Sequence, residues 1–524
     1  MVIPLIETDL GILRGAFQDN ITGGNYVAFK GVPYATPPLG DLRFRDPVPV
    51  EPWTGVRDAR EFGNVCYQYD SETERYVGSE DCLYLNVYMP NLELSNLKAV
   101  MVWIHGGAFQ KGSGNDDVFG VDYLIKSDVI IITLNYRMGC LGFLNLRHKA
   151  APGNQGMKDQ VMALRWVKQN IKKFGGDPNN VTIVGQSAGA VSVHYLLVSS
   201  MARGLFQKAI VQSGFLSSIL KPTNPAHVGV KLAKILGISA TKPEAVVEHL
   251  RKVNIEKLIE AQEKVITPDE DLLLMLPFTP GHDETSDDPF FPQTEQDAIK
   301  MQISVPCIIG YITDELTARE DTCKAAAKNP KPVLPAMVMH YYDDRNISVD
   351  KVIDHYMDED HRLDDQRLFS QLAHLITSVI FLSSIHTVFE AQVKNSDVPI
   401  FYYKFSFDSK KTLMKVKNIH HGCGHGDDLS FLFAHKALDQ LGRKPLCSDD
   451  VHNRIIQRFV KMWTNFARTG NPTPKRTQLI PVIWEPIDTR QFYEYKYLHI
   501  TDNLTMESEQ NHFQNLLPKC SKSN

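Results

Sequence analysis

Two patterns of apolar residues recur along the chain, short unbroken runs and longer stretches of helical period. Val100-Met-Val-Trp-Ile104 is apolar throughout, and Asp128-Val-Ile-Ile-Ile-Thr-Leu-Asn135 nearly so. Val181-Thr-Ile-Val184, Lys208 to Ser213, Val305 to Gly310 and Val398 to Phe405 repeat the pattern, and Leu83 to Tyr88 adds a further short run. Runs of this length, rich in β-branched residues, predict strands buried on both faces. Between them, Asp159 to Phe174 sets Met162, Leu164, Trp166, Val167 and Ile171 at helical spacing, and Ala190 to Val198 and Val451 to Ala467 read as further helices. Strands alternating with helices predict an α/β protein with a large, mostly parallel sheet covered on both sides. Residues 1–60 read as short strands and turns. The stretches of about 223–300 and 320–395 turn helical and charged, as insertions beside the sheet would. After Asn471-Pro-Thr-Pro474 a late pair of short strands is expected.

Composition narrows the class. The chain has 524 residues, 43% hydrophobic and 22% charged, as in soluble globular proteins. Pro/Ser/Gly-rich linkers do not divide it, so residues 1–524 are read as one domain with insertions. A formal net charge of −5 offers no footprint for nucleic acid or an anionic membrane. The N-terminus has no basic region before its few apolar residues, and no unbroken run reaches the roughly eighteen apolar residues of a membrane helix. The expected location is therefore the cytoplasm, or outside the cell if a leader has been removed. The eight cysteines are dispersed, unlike those of a secreted disulfide scaffold.

The chemistry starts at Gly185-Gln-Ser-Ala-Gly189, set without a gap between a predicted strand and a predicted helix. Strand, G-x-S-x-G, helix is a turn too tight for side chains at its glycine positions, and it lifts the serine hydroxyl clear of the sheet. A serine needs a base to become a nucleophile. In this arrangement the acid and then the histidine follow the serine in the chain. Gly422-Cys-Gly-His-Gly-Asp-Asp-Leu429 follows the strand ending near Phe405 and offers His425 in a glycine-flanked loop. His420, His421, Cys423 and His425 could instead form a metal cluster, but their spacing matches no zinc signature. The acid must lie between, at a strand end, where Asp314 and Glu315 both qualify. The oxyanion needs backbone N–H donors. Ala188 supplies one, and the turn Gly106-Gly107-Ala108 after the Val100–Ile104 run supplies others.

The chain resembles the carboxylesterase/cholinesterase family over almost its whole length. The resemblance rests on Phe29-Lys-Gly-Val-Pro-Tyr-Ala35, Ser79-Glu-Asp-Cys-Leu-Tyr-Leu-Asn86, His105-Gly-Gly-Ala-Phe109, Asn135-Tyr-Arg137, Lys158-Asp-Gln160 and Phe174-Gly-Gly-Asp-Pro178. His425-Gly-Asp-Asp-Leu-Ser430 makes it most similar to insect α-esterase-type carboxylesterases. The resemblance implies an α/β-hydrolase fold with a gorge formed by the helical insertions. It implies a triad of Ser187, Glu315 and His425, an oxyanion hole of Gly107, Ala108 and Ala188, and substrate contacts from Gln186, Phe109 and Leu220. It also implies ion pairs of Arg43 with Glu80 and Arg137 with Asp159, and pairs Cys66 with Cys82 as the family's first disulfide, which a reducing cytosol would leave as two thiols.

Function follows as expectation. The resemblance implies a serine carboxylesterase that needs no cofactor or metal, takes small-molecule esters of xenobiotic or lipid origin, reacts with organophosphates, and is a monomer or weak oligomer. Cholinesterases carry Glu before the serine and a tryptophan in the first disulfide loop. Here Gln186 precedes the serine and the loop has no Trp, so a quaternary ammonium loses its main attractions and neutral apolar esters are expected. Leu316 stands where the family usually has Gly after the acid. The alternatives are a juvenile hormone esterase, a non-catalytic cholinesterase-like adhesion module, and an organophosphate-sequestering protein.

Overall fold

The computed structural model describes residues 3–315, 348–356, 365–392, 398–409, 422–435 and 450–511, apart from positions 72, 219, 220, 223, 273 and 492, together with residues 338 and 412. Leu220, Leu316, His420 and His421 lie outside the described residues.

Eleven strands form the main sheet: β1 (Ala16–Asp19), β2 (Asn25–Pro33), β3 (Tyr84–Met89), β4 (Lys98–Ile104), β5 (Ile130–Leu134), β6 (Gly176–Gln186), β7 (Lys208–Gln212), β8 (Cys307–Ile312), β9 (Ile400–Phe405), β10 (Glu494–Ile500) and β11 (Leu504–Gln510). Their spatial order is β11-β10-β9-β8-β7-β6-β4-β5-β3-β2-β1. From β10 to β5 neighbours run parallel. Both margins are antiparallel. The late strands expected beyond residue 474 are thus a hairpin of two seven-residue strands that extends the sheet.

Side-chain alternation explains why the central strands read as solid apolar runs. Val100, Val102 and Ile104 of β4 face one core, and Met101 and Trp103 face the other. The first core takes in helices α1 (Gln155–Asn170) and α2 (Ala188–Val198), through residues such as Leu164 and Val193. The second takes in α8 (Val451–Thr469), through Phe459 and Trp463. The insertion before β8 contributes α3 (Pro225–Ile235), α4 (Pro243–Lys252) and α5 (Ile255–Glu263). The one before β9 contributes α6 (Asp365–Thr377) and α7 (Ser383–Gln392), joined through a π-helical turn at Ser378–Leu382. Gln371–Gln392 is a helix long and apolar enough, by length and composition, to cross a membrane. Its apolar window is 83% buried, because it packs as a core helix.

The strand order places the site. β5 lies on the far side of β4 from β6, so the winding reverses between β4 and β6. At such a point the loops leaving the carboxyl ends of two neighbouring strands part and open a crevice. Here those loops begin at His105 and Ser187. Two buried ion pairs hold the surroundings. Arg137 donates to both Asp159 carboxylate oxygens at 2.8 and 2.7 Å, and Arg43 to both oxygens of Glu80 at 2.6 and 2.5 Å. Cys66 and Cys82 form a disulfide.

Candidate active site

Ser187 sits at φ 58° and ψ −128°, a conformation costly for a residue with a side chain. The surrounding glycines explain how it is enforced. A Cβ at Gly185 would lie 2.3 Å from the Gly189 carbonyl oxygen, and one at Gly189 would lie 2.0 Å from that of Ile104. The Ser187 N–H donates to the Gln212 carbonyl at the end of β7, at 3.0 Å. Ser187 occupies the N-cap position of α2, where a serine hydroxyl normally accepts from the first turn. It makes no such bond. The half-buried hydroxyl therefore faces the crevice with no protein partner among the described residues.

The turn Gly106-Gly107-Ala108 reaches the same point from β4. Its carbonyls are tied back. Tyr136 Oη donates to His105 O at 3.0 Å, Gln110 and Lys111 N–H to Gly107 O at 3.0 and 3.1 Å, and Gly139 N–H to Phe109 O at 2.6 Å. His105 is buried, stacks on Tyr136 with ring centroids 4.5 Å apart, and burial lowers its pKa to about 4. It is a neutral spacer under the turn. By contrast, the N–H groups of Gly107, Ala108 and Ala188 donate to no protein acceptor among the described residues. Unspent donors beside an elbow are what a developing oxyanion requires.

His425 comes from the loop after β9. Its Nδ1 lies 2.5 Å from Glu315 Oε2. Glu315 is fully buried, accepts from Ile312 N–H at 2.9 Å through its other oxygen, and donates its own N–H to Thr377 Oγ1 at 3.0 Å. Burial disfavours the charged imidazole, but the Glu315 carboxylate outweighs it, so His425 holds its proton above the usual histidine range. Asp314, equally eligible by chain position, does not reach the imidazole. It pairs with Cys423 through both backbone and side chain, at 3.1 and 3.2 Å, and braces the histidine loop.

Ser187, Ala108, Ala188, Phe109 and His425 line one cavity of about 260 Å³. Its other walls include Val191, Leu274, Leu276, Ile380 and Phe381, and Asp271 is a solvent-exposed carboxylate among them. Phe381 packs on the His425 ring at 5.7 Å. Gln186 is not in the cavity wall. Its amide nitrogen meets His425 Nε2 at 3.2 Å. Sequence reasoning missed Ile380 and Phe381, which a π-helical turn presents to the cavity, a type of local distortion common at functional sites. A larger cavity of about 740 Å³, lined by Arg147, Lys221, His282 and Glu295, touches none of the triad positions. Among the described residues no group of His, Cys, Asp and Glu side chains is arranged to hold a metal.

A serine on a strand-to-helix elbow at the winding reversal of a parallel sheet, followed in the chain by Glu315 and His425 in mutual contact, defines a serine hydrolase of the α/β-hydrolase class. A sequence profile of the carboxylesterase family matches residues 3–516. The chain belongs to that family and is a carboxylic ester hydrolase. It is 33% identical to a juvenile hormone esterase of Tribolium castaneum, over 95% of this chain and 89% of that protein. It is 30% identical to esterase B1 of Culex pipiens, over 92% of this chain and 91% of that protein. The crystal structure of juvenile hormone esterase from Manduca sexta, with OTFP covalently attached, superposes with a TM-score of 0.81 at 28% identity, over 98% of each chain.

Proposed function

We propose that the enzyme hydrolyses neutral, apolar esters through an acyl-enzyme on Ser187. The observation that carries the reading is the joint placement of Ser187, a glutamate-held His425 and the unspent amides of Ala108 and Ala188 around one largely apolar cavity, with the unspent amide of Gly107 next to them in the chain. Ser187 Oγ attacks the ester carbonyl as His425 Nε2 takes its proton, and Glu315 stabilises the resulting imidazolium. The carbonyl electron pair moves onto oxygen and is held by Gly107, Ala108 and Ala188. As the tetrahedral species collapses, His425 returns the proton to the leaving alcohol. Water then repeats the sequence on the acyl-enzyme and releases the acid. In the structure His425 Nε2 faces the Gln186 amide at 3.2 Å, and catalytic hydrogen bonds of this kind commonly tighten only in the substrate complex.

Replacing Ser187 with alanine is expected to abolish turnover of naphthyl esters while the thermal unfolding midpoint stays put; undiminished turnover would end the proposal. Organophosphates are expected to phosphorylate the same hydroxyl, displacing their leaving group, with the adduct located by mass spectrometry of the Ser187 peptide. A second reading, hydrolysis of juvenile hormone itself, is favoured by the match to the Tribolium castaneum protein over 95% of this chain. Comparing kcat/KM for juvenile hormone with that for naphthyl esters decides between them.

A further inference from the structure

A buried glutamine side chain of the disulfide loop pairs with the backbone just beyond the Gly106–Ala108 turn, and on the surface Lys111 Nζ donates to Ser71 Oγ of the same loop at 3.3 Å. Gln68 opens a short hairpin inside the Cys66–Cys82 loop and is buried. Its Oε1 accepts from Gly112 N–H at 2.6 Å, and its Nε2 donates to Gly112 O at 3.0 Å and to Cys66 O at 2.9 Å. Gly112 is thus paired on both backbone atoms, as it would be by a neighbouring strand. It is also wedged against the start of the turn: a Cβ at Gly112 would lie 2.5 Å from His105 Nδ1 and 2.7 Å from Gly106 O. One residue earlier, the Lys111 carbonyl sits under Gly107, where a Cβ would meet it at 1.9 Å. The turn is folded back on itself, and Gln68 closes the fold.

We propose that Gln68 is a positioning residue for the oxyanion hole. It acts through Gly112 on the aim of the Gly107 and Ala108 N–H groups, and the disulfide fixes the base of the hairpin that carries it. The inference rests on the reading of those amides as the oxyanion hole. Its physical content is a difference between states. Small displacements of donors aimed at a developing charge weaken transition-state binding and leave the substrate's apolar contacts alone.

The test uses the full-length enzyme and Gln68→Met, which keeps the side chain's length and removes its hydrogen bonds. If that variant does not fold, Gln68→Asn, too short to span both backbone atoms of Gly112, takes its place. Steady-state kinetics on a naphthyl ester are paired with inhibition by an alkyl trifluoromethyl ketone. Ser187 Oγ adds to the ketone carbon, its proton goes to His425, and the carbonyl pair becomes an oxyanion. The expected result is a fall in kcat of roughly tenfold to a hundredfold, KM within about twofold, and loss of ketone affinity by the same factor as kcat/KM. The Ki of the product alcohol, which carries no oxyanion, stays unchanged. Wild-type kcat and ketone affinity in the variant would overturn the inference. So would equal losses of ketone and alcohol affinity, which mean a collapsed cavity. Ser187→Ala, run alongside, separates this failure from that of the underlying reading: turnover in Ser187→Ala refutes the hole and nucleophile together, whereas a dead Ser187→Ala beside an unimpaired Gln68→Met refutes only the role of Gln68.

Discussion

Glu315→Gln changes one atom of the proposed triad and tests what the carboxylate contributes. One Glu315 oxygen must accept from the buried Ile312 N–H, and the other faces His425 Nδ1. A glutamine has one acceptor. If its carbonyl keeps Ile312, its NH₂ faces Nδ1, which must then give up its proton. The imidazole is left with N–H on the Ser187 side, where it cannot act as a base. If the amide turns over, two donors confront each other at Ile312, at a cost of about 1–3 kcal/mol. The imidazolium formed in the transition state also loses its counter-charge. At about 4 Å between charge centres and an effective dielectric near 20, that attraction is about 4 kcal/mol. Together these predict a fall in kcat/KM of about four to five powers of ten. The pH profile supplies a second readout. Neutral His425 is the active form, so activity is lost as pH falls through its raised pKa, and the wild-type acid limb should lie above 6.5. Without Glu315 burial has less to oppose it, and the acid limb of the residual activity should move to lower pH. The assay is stopped-flow hydrolysis of a naphthyl ester from pH 5 to 9. A loss smaller than a hundredfold, or an acid limb that stays in place, would refute the reasoning.

Three further outcomes follow from the structure. Gly189→Ala would place a methyl 2.0 Å from the Ile104 carbonyl. The elbow must move, so kcat should drop at least a hundredfold and denaturant unfolding should show a loss of about 1–3 kcal/mol. Arg137→Leu leaves the fully buried Asp159 carboxylate without its partner. It should cost about 3–5 kcal/mol in urea unfolding, and Arg137→Leu/Asp159→Leu should recover part of that. Asp428 is buried behind His425, accepting from Gln212 Nε2 at 2.7 Å, and burial pushes its carboxyl up to about 7. The folded protein then keeps a proton that the unfolded chain releases between about pH 4 and 7, so this group lowers stability as pH rises across that window. Asp428→Asn should flatten that part of the unfolding midpoint against pH; an unchanged slope would contradict the assignment.

Legibility in the sequence followed the local severity of the physics. Ser187 could be read because the elbow admits no side chain at Gly185 or Gly189, and the letters record that exclusion. The central strands could be read because burial on both faces leaves few polar positions in them, such as Thr133 and Thr182. Asp314 and Glu315 could not be separated by strand position. The choice between them is made by Thr377, about sixty residues on, which takes the Glu315 N–H, and by Cys423, which occupies Asp314. Leu274, Leu276, Ile380 and Phe381 left no sign because an apolar residue lining a cavity looks like any core residue. Gln68 was invisible for a similar reason: a pairing of one amide with one backbone unit 44 positions away has no periodicity.

The division between legible and illegible parts carries a consequence for specificity. Every group assigned to the reaction stands on the sheet or beyond a strand end and is held by groups of the same region: Ser187 by neighbouring main chain, the turn after β4 by its tied carbonyls, the His425 ring by the Glu315 carboxylate and its loop by the pairing of Cys423 with Asp314. The insertions supply much of the cavity's apolar wall, Ile266 and Leu274 to Leu276 from one and Ile380 and Phe381 from the other. Few of those side chains are asked to hold a charge or aim a donor. Changing them alters which acyl and alcohol groups fit, and therefore ground-state and transition-state binding together, whereas changing the strand-end groups alters the transition state alone. Phe381 is the point of contact between the two sets, because it lines the cavity and also packs on the His425 ring.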